Sequence, residues 1–328
     1  VGLSYRTTFI VRVLCTHRMV ITMEKIIDMA IVGAGPAGMT AAIYGQRAGL
    51  SVVILEKNTM GGGQMTYTDK IENYTGIEAV DGFELSMKMQ NQVKNLGVRF
   101  LFEEVKEIQQ ANDNNEAIWE LKTNKSTILA RNVVYSGGAS HKKLEVPGEI
   151  RLAGRGVSYC ATCDGNFFRG KTVAVVGGGN TALQDALYLS QVANKVYLIH
   201  RRDKFRGFAS NVEKVEASPN IEIIYNSNLG EIKGEDKVNS LIIVDNYGGN
   251  RELSVDGVFI AVGITPAKNI IKDFVKTDNS GFIITDEDCY TGTKGLYAVG
   301  DIRSKKFRQI ITAAADGAIA AESILENN

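Results

Sequence analysis

Only 4 cysteines and 3 histidines occur in the 328 residues, and that shortage removes two classes of protein. Four cysteines are too few to staple a secreted fold, and so sparse a content fits a reducing cytoplasm. A structural zinc site needs a second pair of soft ligands, and Cys15, Cys289, His17, His141 and His200 do not repeat the spacing of such a pair. No metal site is expected. An excess of one charge is missing as well, since Lys plus Arg and Asp plus Glu number 37 each. Nothing here offers a surface to nucleic acid or to an anionic membrane. No apolar run approaches the roughly 18 residues that cross a bilayer. Proline is held to 4 residues against 34 glycines, a balance suited to α/β domains with tight strand-to-helix turns. The length allows about two such domains, each with its own core.

Acids are absent before Glu24, while Arg6, Arg12 and Arg18 are present, as in organelle leaders. Met23-Glu24-Lys25 runs directly into an apolar strand, so the compact protein is expected to begin near Met23. Residues 1–22 are then a disordered leader or an appended extension, and Cys15 within them has no assigned role.

What the chain does contain is a pair of thiols at short spacing, Cys160-Ala161-Thr162-Cys163, followed by Asp164. Two cysteines so placed close a small ring on oxidation, one serving as nucleophile and the other resolving. Just downstream lies a glycine turn, Gly177-Gly178-Gly179. A redox pair beside a nucleotide-binding turn points to electrons passing from a dinucleotide to a disulfide.

The glycine turn is one half of an internal repeat. Ile31-Val32-Gly33-Ala34-Gly35-Pro36-Ala37-Gly38 aligns without a gap on Val175-Val176-Gly177-Gly178-Gly179-Asn180-Thr181-Ala182. The match continues through Ala42 with Ala186 and Tyr44 with Tyr188. It ends with Val52-Val53-Ile54-Leu55 on Val196-Tyr197-Leu198-Ile199. Each copy reads strand, glycine turn, helix, strand, the βαβ unit that holds a dinucleotide. Gly33 and Gly177 permit the tight turn, Gly35 and Gly179 let backbone approach a pyrophosphate, and Gly38 or Ala182 lets the helix pack closely on the strand. The helix N-terminus then presents free N–H groups to the phosphates.

The copies differ at the residue that closes the second strand. In the first it is Glu56, an acid placed to bond the ribose hydroxyls of FAD or NAD. In the second it is His200, followed by Arg201, Arg202 and Arg206. Arginines there attract and clamp a 2′-phosphate, so the second site is expected to take NADP(H). Residues 98–135 read as a β meander, Val258 to Val262 as a buried strand, and Gly295 to Asp301 as another ending in Gly-Asp. A helical pattern runs from about Gln309 to Leu325.

With these motifs together, the chain from about Asp28 onward resembles the low-molecular-weight thioredoxin reductases of the bacterial type. Cys160 to Gly165 resembles that family's active-site string. Gly62-Gly63-Gln64-Met65 and Glu72-Asn73-Tyr74 resemble its flavin-contacting loop. His200 to Arg206 resembles its NADPH signature, and Gly300-Asp301 with Arg308-Gln309-Ile310 its second flavin signature. The departures are the N-terminal leader and one extra glycine in Gly61-Gly62-Gly63.

The resemblance implies two Rossmann-like domains, the NADPH domain inserted into a split FAD domain. Residues 23–137 and 267–328 would form the FAD domain and residues 142–263 the NADPH domain with its redox pair. FAD would be held by Gly33, Gly35, Ala37, Gly38, Glu56, Lys57, Gly62, Gly63, Gln64, Asn73, Asp301, Arg308, Gln309 and Ile310, with Asp301 on the ribityl chain. NADPH would be held by Gly177, Gly179, Asn180, Thr181, His200, Arg201, Arg202 and Arg206. The implied reaction is reduction of oxidised thioredoxin by NADPH, in a cytoplasmic homodimer. By analogy Cys163 faces the flavin and Cys160 attacks the partner, which the sequence alone does not separate. The larger glutathione-reductase-type enzymes protonate the departing sulfur with a histidine. No histidine here is free for that, and elimination together with the resemblance makes Asp164 the expected general acid.

Relatives with other electron donors or acceptors fit less well. Peroxide-reducing flavoproteins carry an additional N-terminal domain that 22 leader residues cannot form, and ferredoxin-dependent ones have no need of Arg201 and Arg202. Dithiol oxidases share the motifs. A redox-sensing binding module needs one dinucleotide site, and two of unlike chemistry argue against it. The nicotinamide and the disulfide both lie on the second domain yet both must reach one flavin. A hinge is therefore expected near Gly137-Gly138 and near Gly263 to Ala267.

Overall fold

The computed structural model describes residues 9–10, 24–68, 70–113, 116–267 and 270–327. The expectation of a disordered leader therefore lies outside the described residues, Cys15 included, apart from a two-residue strand. That strand, β1 (Phe9–Ile10), lies antiparallel to β2 (Glu24–Lys25).

The first repeat forms β3 (Ile27–Val32), α1 (Pro36–Arg47) and β4 (Val52–Leu55). An apolar run such as Val52 to Leu55 is buried along its whole length, as a strand covered on both faces requires. Pro36 starts α1, where its missing N–H costs nothing, and Gly49 with φ +88° stops it. After α2 (Gly82–Asn95), capped by the Asp81 carboxylate, come β5 (Arg99–Leu101), β6 (Val105–Asp113), β7 (Glu116–Thr123) and β8 (Thr127–Tyr135). The meander expected over 98–135 divides in two. Strand β5 joins the parallel edge beside β4, and only β6, β7 and β8 run antiparallel. The sheet order is β5-β4-β3-β8-β7-β6.

Strand β9 (Ala139–His141) leaves this sheet, and the second unit follows: β10 (Val157–Ser158), α3 (Ala161–Asp164), β11 (Thr172–Val176), α4 (Asn180–Ser190), β12 (Lys195–Ile199), α5 (Ala209–Glu216) and β13 (Ile221–Ile224). An antiparallel sheet of β14 (Ser227–Lys233), β15 (Ser240–Asp245) and β16 (Asn250–Ser254) packs beside it, and β17 (Gly257–Ile260) completes an all-parallel sheet of order β10-β17-β11-β12-β13. Strand β18 (Ile264–Pro266) then carries the chain back, paired antiparallel with β9 through Ile264 opposite His141. The two crossings thus form one two-stranded ribbon. Strand β19 (Leu296–Ala298) returns to the first sheet beside β8, and α6 (Ile310–Glu326) packs on α1.

The repeat is structural as well as sequential. Ile31 faces Ile54 in the first unit and Val175 faces Leu198 in the second, equivalent positions in the same register. Apolar clusters fill both faces of each sheet. The fold is thus two dinucleotide-binding βαβ domains, the second inserted in the first.

Candidate active site

At the first glycine turn, Gly33 has φ +105° and its backbone lies so near Ser136 that an added Cβ would meet the Ser136 carbonyl oxygen at 2.5 Å. Gly38 is tighter still, since a Cβ there would overlap the Gly33 carbonyl oxygen. At Gly35, by contrast, a Cβ would meet nothing within 4 Å. Close approach is forced on the protein side and open space lies on the helix-tip side, the shape of a pyrophosphate cradle. Glu56 is buried, its Oε2 accepting the Ala34 N–H at 2.8 Å and its Oε1 accepting the Asn58 N–H at 2.9 Å. Ala37 is buried in the same turn, and Lys57 is exposed beside Glu56.

The loop after β4 closes over this turn. The Gly62 N–H donates to the Ala34 carbonyl at 2.7 Å, and the Gly61 N–H donates to Gln90 Oε1 at 2.9 Å. Gly62 and Gly63 take φ values of +119° and +61°, and Gln64 follows in the 3₁₀ turn Gly63–Tyr67. From the far end of the chain, Asp301 sits in the turn after β19. Its Oδ1 is buried and, among the described residues, has no hydrogen-bond partner. Burial raises the carboxyl above its usual range, while Lys305 and Arg308 oppose that rise. An orphaned buried acceptor beside a glycine cradle fits a ligand bearing hydroxyls, as the ribityl chain of FAD does. Arg308 is committed to backbone: its guanidinium donates to the carbonyls of Asp301, Lys305 and Arg303 and stacks on the Phe282 ring at 4.0 Å.

Gln309 caps α6, its N–H donating to Thr312 Oγ1, and Ile310 opens the helix against the core. The Gln309 side chain meets the second unit. Its Oε1 accepts from Asn73 Nδ2 at 2.9 Å, and its Nε2 lies 3.9 Å from Cys160 Sγ and 3.8 Å from Cys163 Sγ.

The two sulfurs form a disulfide, with Cα atoms 5.3 Å apart. Cys160 is the N-cap of α3, and its carbonyl accepts the N–H of Asp164 at 3.1 Å. Ser158 braces the motif, donating from Oγ to Asp164 Oδ2 at 2.5 Å and accepting the Cys160 N–H at 3.1 Å. The Phe167 ring, just after the motif, lies under Lys70 Nζ of the first unit at 5.3 Å.

At the second glycine turn, Gly177 packs against the Ala261 carbonyl and Ala182, whereas Gly179 faces open space as Gly35 does. The segment after β12 folds back over it: the Arg206 N–H donates to the Gly178 carbonyl at 2.8 Å, and the Phe208 N–H donates to Asn180 Oδ1 at 2.6 Å. His200 is buried against Gly178, stacks on Phe205 at 5.2 Å, and contacts the Lys204 carbonyl through Nε2 at 3.0 Å. Burial first, then the neighbouring arginines, hold its pKa low. Uncharged, it forms a wall of the site. Thr181, Arg201, Arg202 and Arg206 are exposed around it, and among the described residues none of the three arginines has an ion-pair partner. Three uncommitted guanidinium groups at the end of the second strand fit a phosphorylated ribose.

Several supporting residues escape sequence reasoning. Ser136 Oγ bonds the carbonyls of Val32 and Gly33, Ser86 Oγ bonds that of Gly61, and Asp316 accepts the Gly300 N–H. None lies in a motif, and each bonds a residue 16 or more positions away in sequence. No cluster of ligands able to hold a metal occurs among the described residues.

Two dinucleotide cradles and a disulfide between them define a flavin- and nicotinamide-dependent disulfide reductase. Residues 27–317 match the model of the pyridine nucleotide-disulphide oxidoreductases. Over 305 residues the chain is 42% identical to thioredoxin reductase of Bacillus subtilis (strain 168), covering 92% of this chain and 94% of that one. The thioredoxin reductase structure from Streptococcus pyogenes MGAS5005 has a TM-score of 0.87 at 40% identity, covering 92% and 97% of the two chains. That of Lactococcus lactis, in its FR conformation, has a TM-score of 0.62 at the same 40% identity, covering 92% and 98%. The chain belongs to the thioredoxin reductase family, and its cofactors are FAD and NADPH.

Proposed function

We propose that this enzyme reduces the disulfide of thioredoxin at the expense of NADPH, with Cys160 and Cys163 as its redox pair and Asp164 as its acid. The observation that carries the reading is the contact of the Cys160–Cys163 disulfide with Gln309, at the N-terminus of α6. Bound FAD supplies two-electron transfer between NADPH and that disulfide.

The protein's own groups do the rest. Opening the disulfide takes two electrons and leaves two sulfurs that need protons. Asp164 follows Cys163 directly, and Ser158 holds its carboxyl in place, so it can give a proton to the departing sulfur. Cys160, at the start of α3, then attacks the thioredoxin disulfide to form a mixed disulfide. Cys163 attacks the enzyme sulfur of that bond, releasing reduced thioredoxin and re-forming the ring. Glu56 orients the adenosine ribose of FAD and Asp301 its ribityl chain. Arg201, Arg202 and Arg206 select NADPH over NADH.

A disulfide packed against Gln309 is turned toward the first unit, away from a protein substrate. We therefore read the β9–β18 ribbon as a hinge between an FAD domain of residues 23–137 and 267–328 and an NADPH domain of residues 142–263. Two relatives of equal identity with unlike TM-scores support this reading, because a rigid-body rotation lowers overall superposition without changing either domain. The same reading takes the enzyme as a cytoplasmic homodimer, which sedimentation equilibrium tests for assembly. No helix of the described residues is long and apolar enough to cross a membrane.

Serine substitution tests the relay. C163S should trap a covalent complex between Cys160 and thioredoxin, C160S should not, and both should lose NADPH-dependent thioredoxin reduction. Intact turnover in either variant sinks the proposal.

A further inference from the structure

Asp316 lies on α6 outside every motif, yet it is only 7% exposed and collects three charge-assisted hydrogen bonds. Its Oδ2 accepts the Gly300 N–H at 2.8 Å and Lys305 Nζ at 2.8 Å, and its Oδ1 accepts Arg303 Nη1 at 2.7 Å. All three donors belong to the one turn that contains Asp301. The turn is fixed from its other sides too. Arg303 also donates to Thr285 Oγ1, the Asp286 carbonyl and Cys289 Sγ. Arg308 holds the carbonyls of residues 301, 303 and 305. Gly300 takes φ +76°, a conformation that strains any residue with a Cβ.

We infer that Asp316 is a positioning residue of the flavin site, acting through the Gly300 N–H to aim the Asp301 carboxylate. The inference rests on Asp301 being a flavin ligand. The physical ground is the contrast between the two carboxylates. That of Asp316 spends both oxygens on protein donors, whereas Asp301, one residue beyond Gly300, has a buried oxygen with no hydrogen-bond partner among the described residues. An unsatisfied buried acceptor keeps its direction only if its backbone is held. The carboxylate of Asp316 also answers two cations of the same turn, Arg303 and Lys305. Cys289 closes the back of this cluster. Its thiol is fully buried, with its Sγ 3.5 Å from the Asp316 carbonyl oxygen, and burial pushes its pKa up to about 12. It serves as packing there rather than as a reactive thiol.

The test is a double-mutant cycle on FAD release from the full-length holoenzyme, read from the fluorescence of the freed flavin after dilution. Asp316→Asn alone should speed release by about tenfold, the size of one lost hydrogen bond to a charged group. Asp301→Asn alone should speed it as well. The double variant should match Asp301→Asn within about twofold, because a positioning residue has nothing left to position. A residue that merely steadies the fold would make the two effects multiply, and that result overturns the inference. So does a release rate in Asp316→Asn within about twofold of the parent. Should Asp316→Asn fail to fold, Arg303→Lys loosens Asp316 from its other oxygen. It should speed release in the same direction, and an unchanged rate there also refutes the role. If Asp301→Asn alone leaves release unchanged, the flavin-site reading beneath the inference is what fails.

Discussion

His141 stacks on Tyr159, with ring centroids 5.4 Å apart and planes inclined by 27°. The first residue lies in the crossing strand β9 and the second immediately precedes Cys160, so the crossing ribbon and the redox motif are in direct contact. Tyr159 reaches further, donating its O–H to Glu149 Oε1 at 2.7 Å. Glu149 is fully buried and also accepts the N–H groups of Leu144 and Glu145. Removing the phenol as Tyr159→Phe keeps the ring and its stacking but takes one donor from a buried carboxylate. The expected loss of stability is about 1–3 kcal/mol, read as a lower midpoint in urea at neutral pH. An unchanged midpoint means that the Glu149 carboxylate does not depend on this bond.

The two glycines of the first turn should part company when each is changed to alanine. Gly35 has φ −76° and open space where a Cβ would go, so Gly35→Ala should fold with an unchanged melting temperature of the flavin-free chain and yet release FAD faster. Gly38 touches the Gly33 carbonyl and Ser136 Oγ, and Gly38→Ala must push α1 off β3. Overpacking of this kind costs about 1–3 kcal/mol or more, so that variant should lose stability even without flavin. Equal behaviour of the two in a thermal melt contradicts the cradle geometry.

Arg201 and Arg202 are exposed and carry no ion-pair partner among the described residues, so their removal should leave the fold alone. The double variant Arg201→Ala with Arg202→Ala should raise KM for NADPH by about ten- to a hundredfold, the size of one or two charge-assisted phosphate bonds. KM for NADH should stay where it was. Steady-state kinetics with both coenzymes decides, and a parallel change in the two constants places the 2′-phosphate elsewhere.

The parts of this molecule that could be read from the chain are those written in local chemistry. Gly33 and Gly177 announce tight turns, and the apolar runs on either side fix β3 beside β4 and β11 beside β12 in one register. Cys160 and Cys163 announce a redox pair once no second pair of soft ligands repeats their spacing and a nucleotide turn follows them. What escaped the reading is held by partners far apart in sequence. Nothing near Asp316 signals that its carboxylate will take the Gly300 N–H, and nothing near Ser136 signals that it will brace the Gly33 turn. The strand at Arg99–Leu101 reads as part of the meander because its residues suit either neighbour, and only pairing with β4 settles which. The bonds of the Arg308 guanidinium to the carbonyls of its own turn are likewise not written in the flavin motif that contains it.

Asp185 offers a test of burial through pH. It lies on α4 beneath the second cradle, and burial alone pushes its carboxyl up to about 7. A raised carboxyl means that the folded state prefers the protonated form. Its contribution to stability is fully present below the unfolded value near 3.8 and is lost as pH rises through about 7. The isosteric Asp185→Asn is free of that loss. It should match the parent at pH 4 and exceed it at pH 8 by about 1–3 kcal/mol, with the difference growing between. Urea unfolding at pH 4, 6 and 8 reads it out. A constant difference across that range shows that the group does not titrate within the fold.

The proton donor is the last role to be tested, and Ser158 makes the test specific. Its Oγ binds Asp164 Oδ2 and also takes the Cys160 N–H, so it fixes the Asp164 carboxyl and the redox pair relative to one another. In Asp164→Asn the amide oxygen still accepts from Ser158, and the local geometry survives while the proton is gone. Reduction of the flavin by NADPH, which needs no such proton, should keep its rate in stopped flow. Thioredoxin reduction should fall by about 10²–10⁴-fold, the range for a lost general acid. Ser158→Ala removes only the orientation of that acid and should fall less. The order of the two variants carries the argument: a group that merely capped the turn following α3 would leave Asp164→Asn near full turnover, because asparagine caps as well as aspartate does.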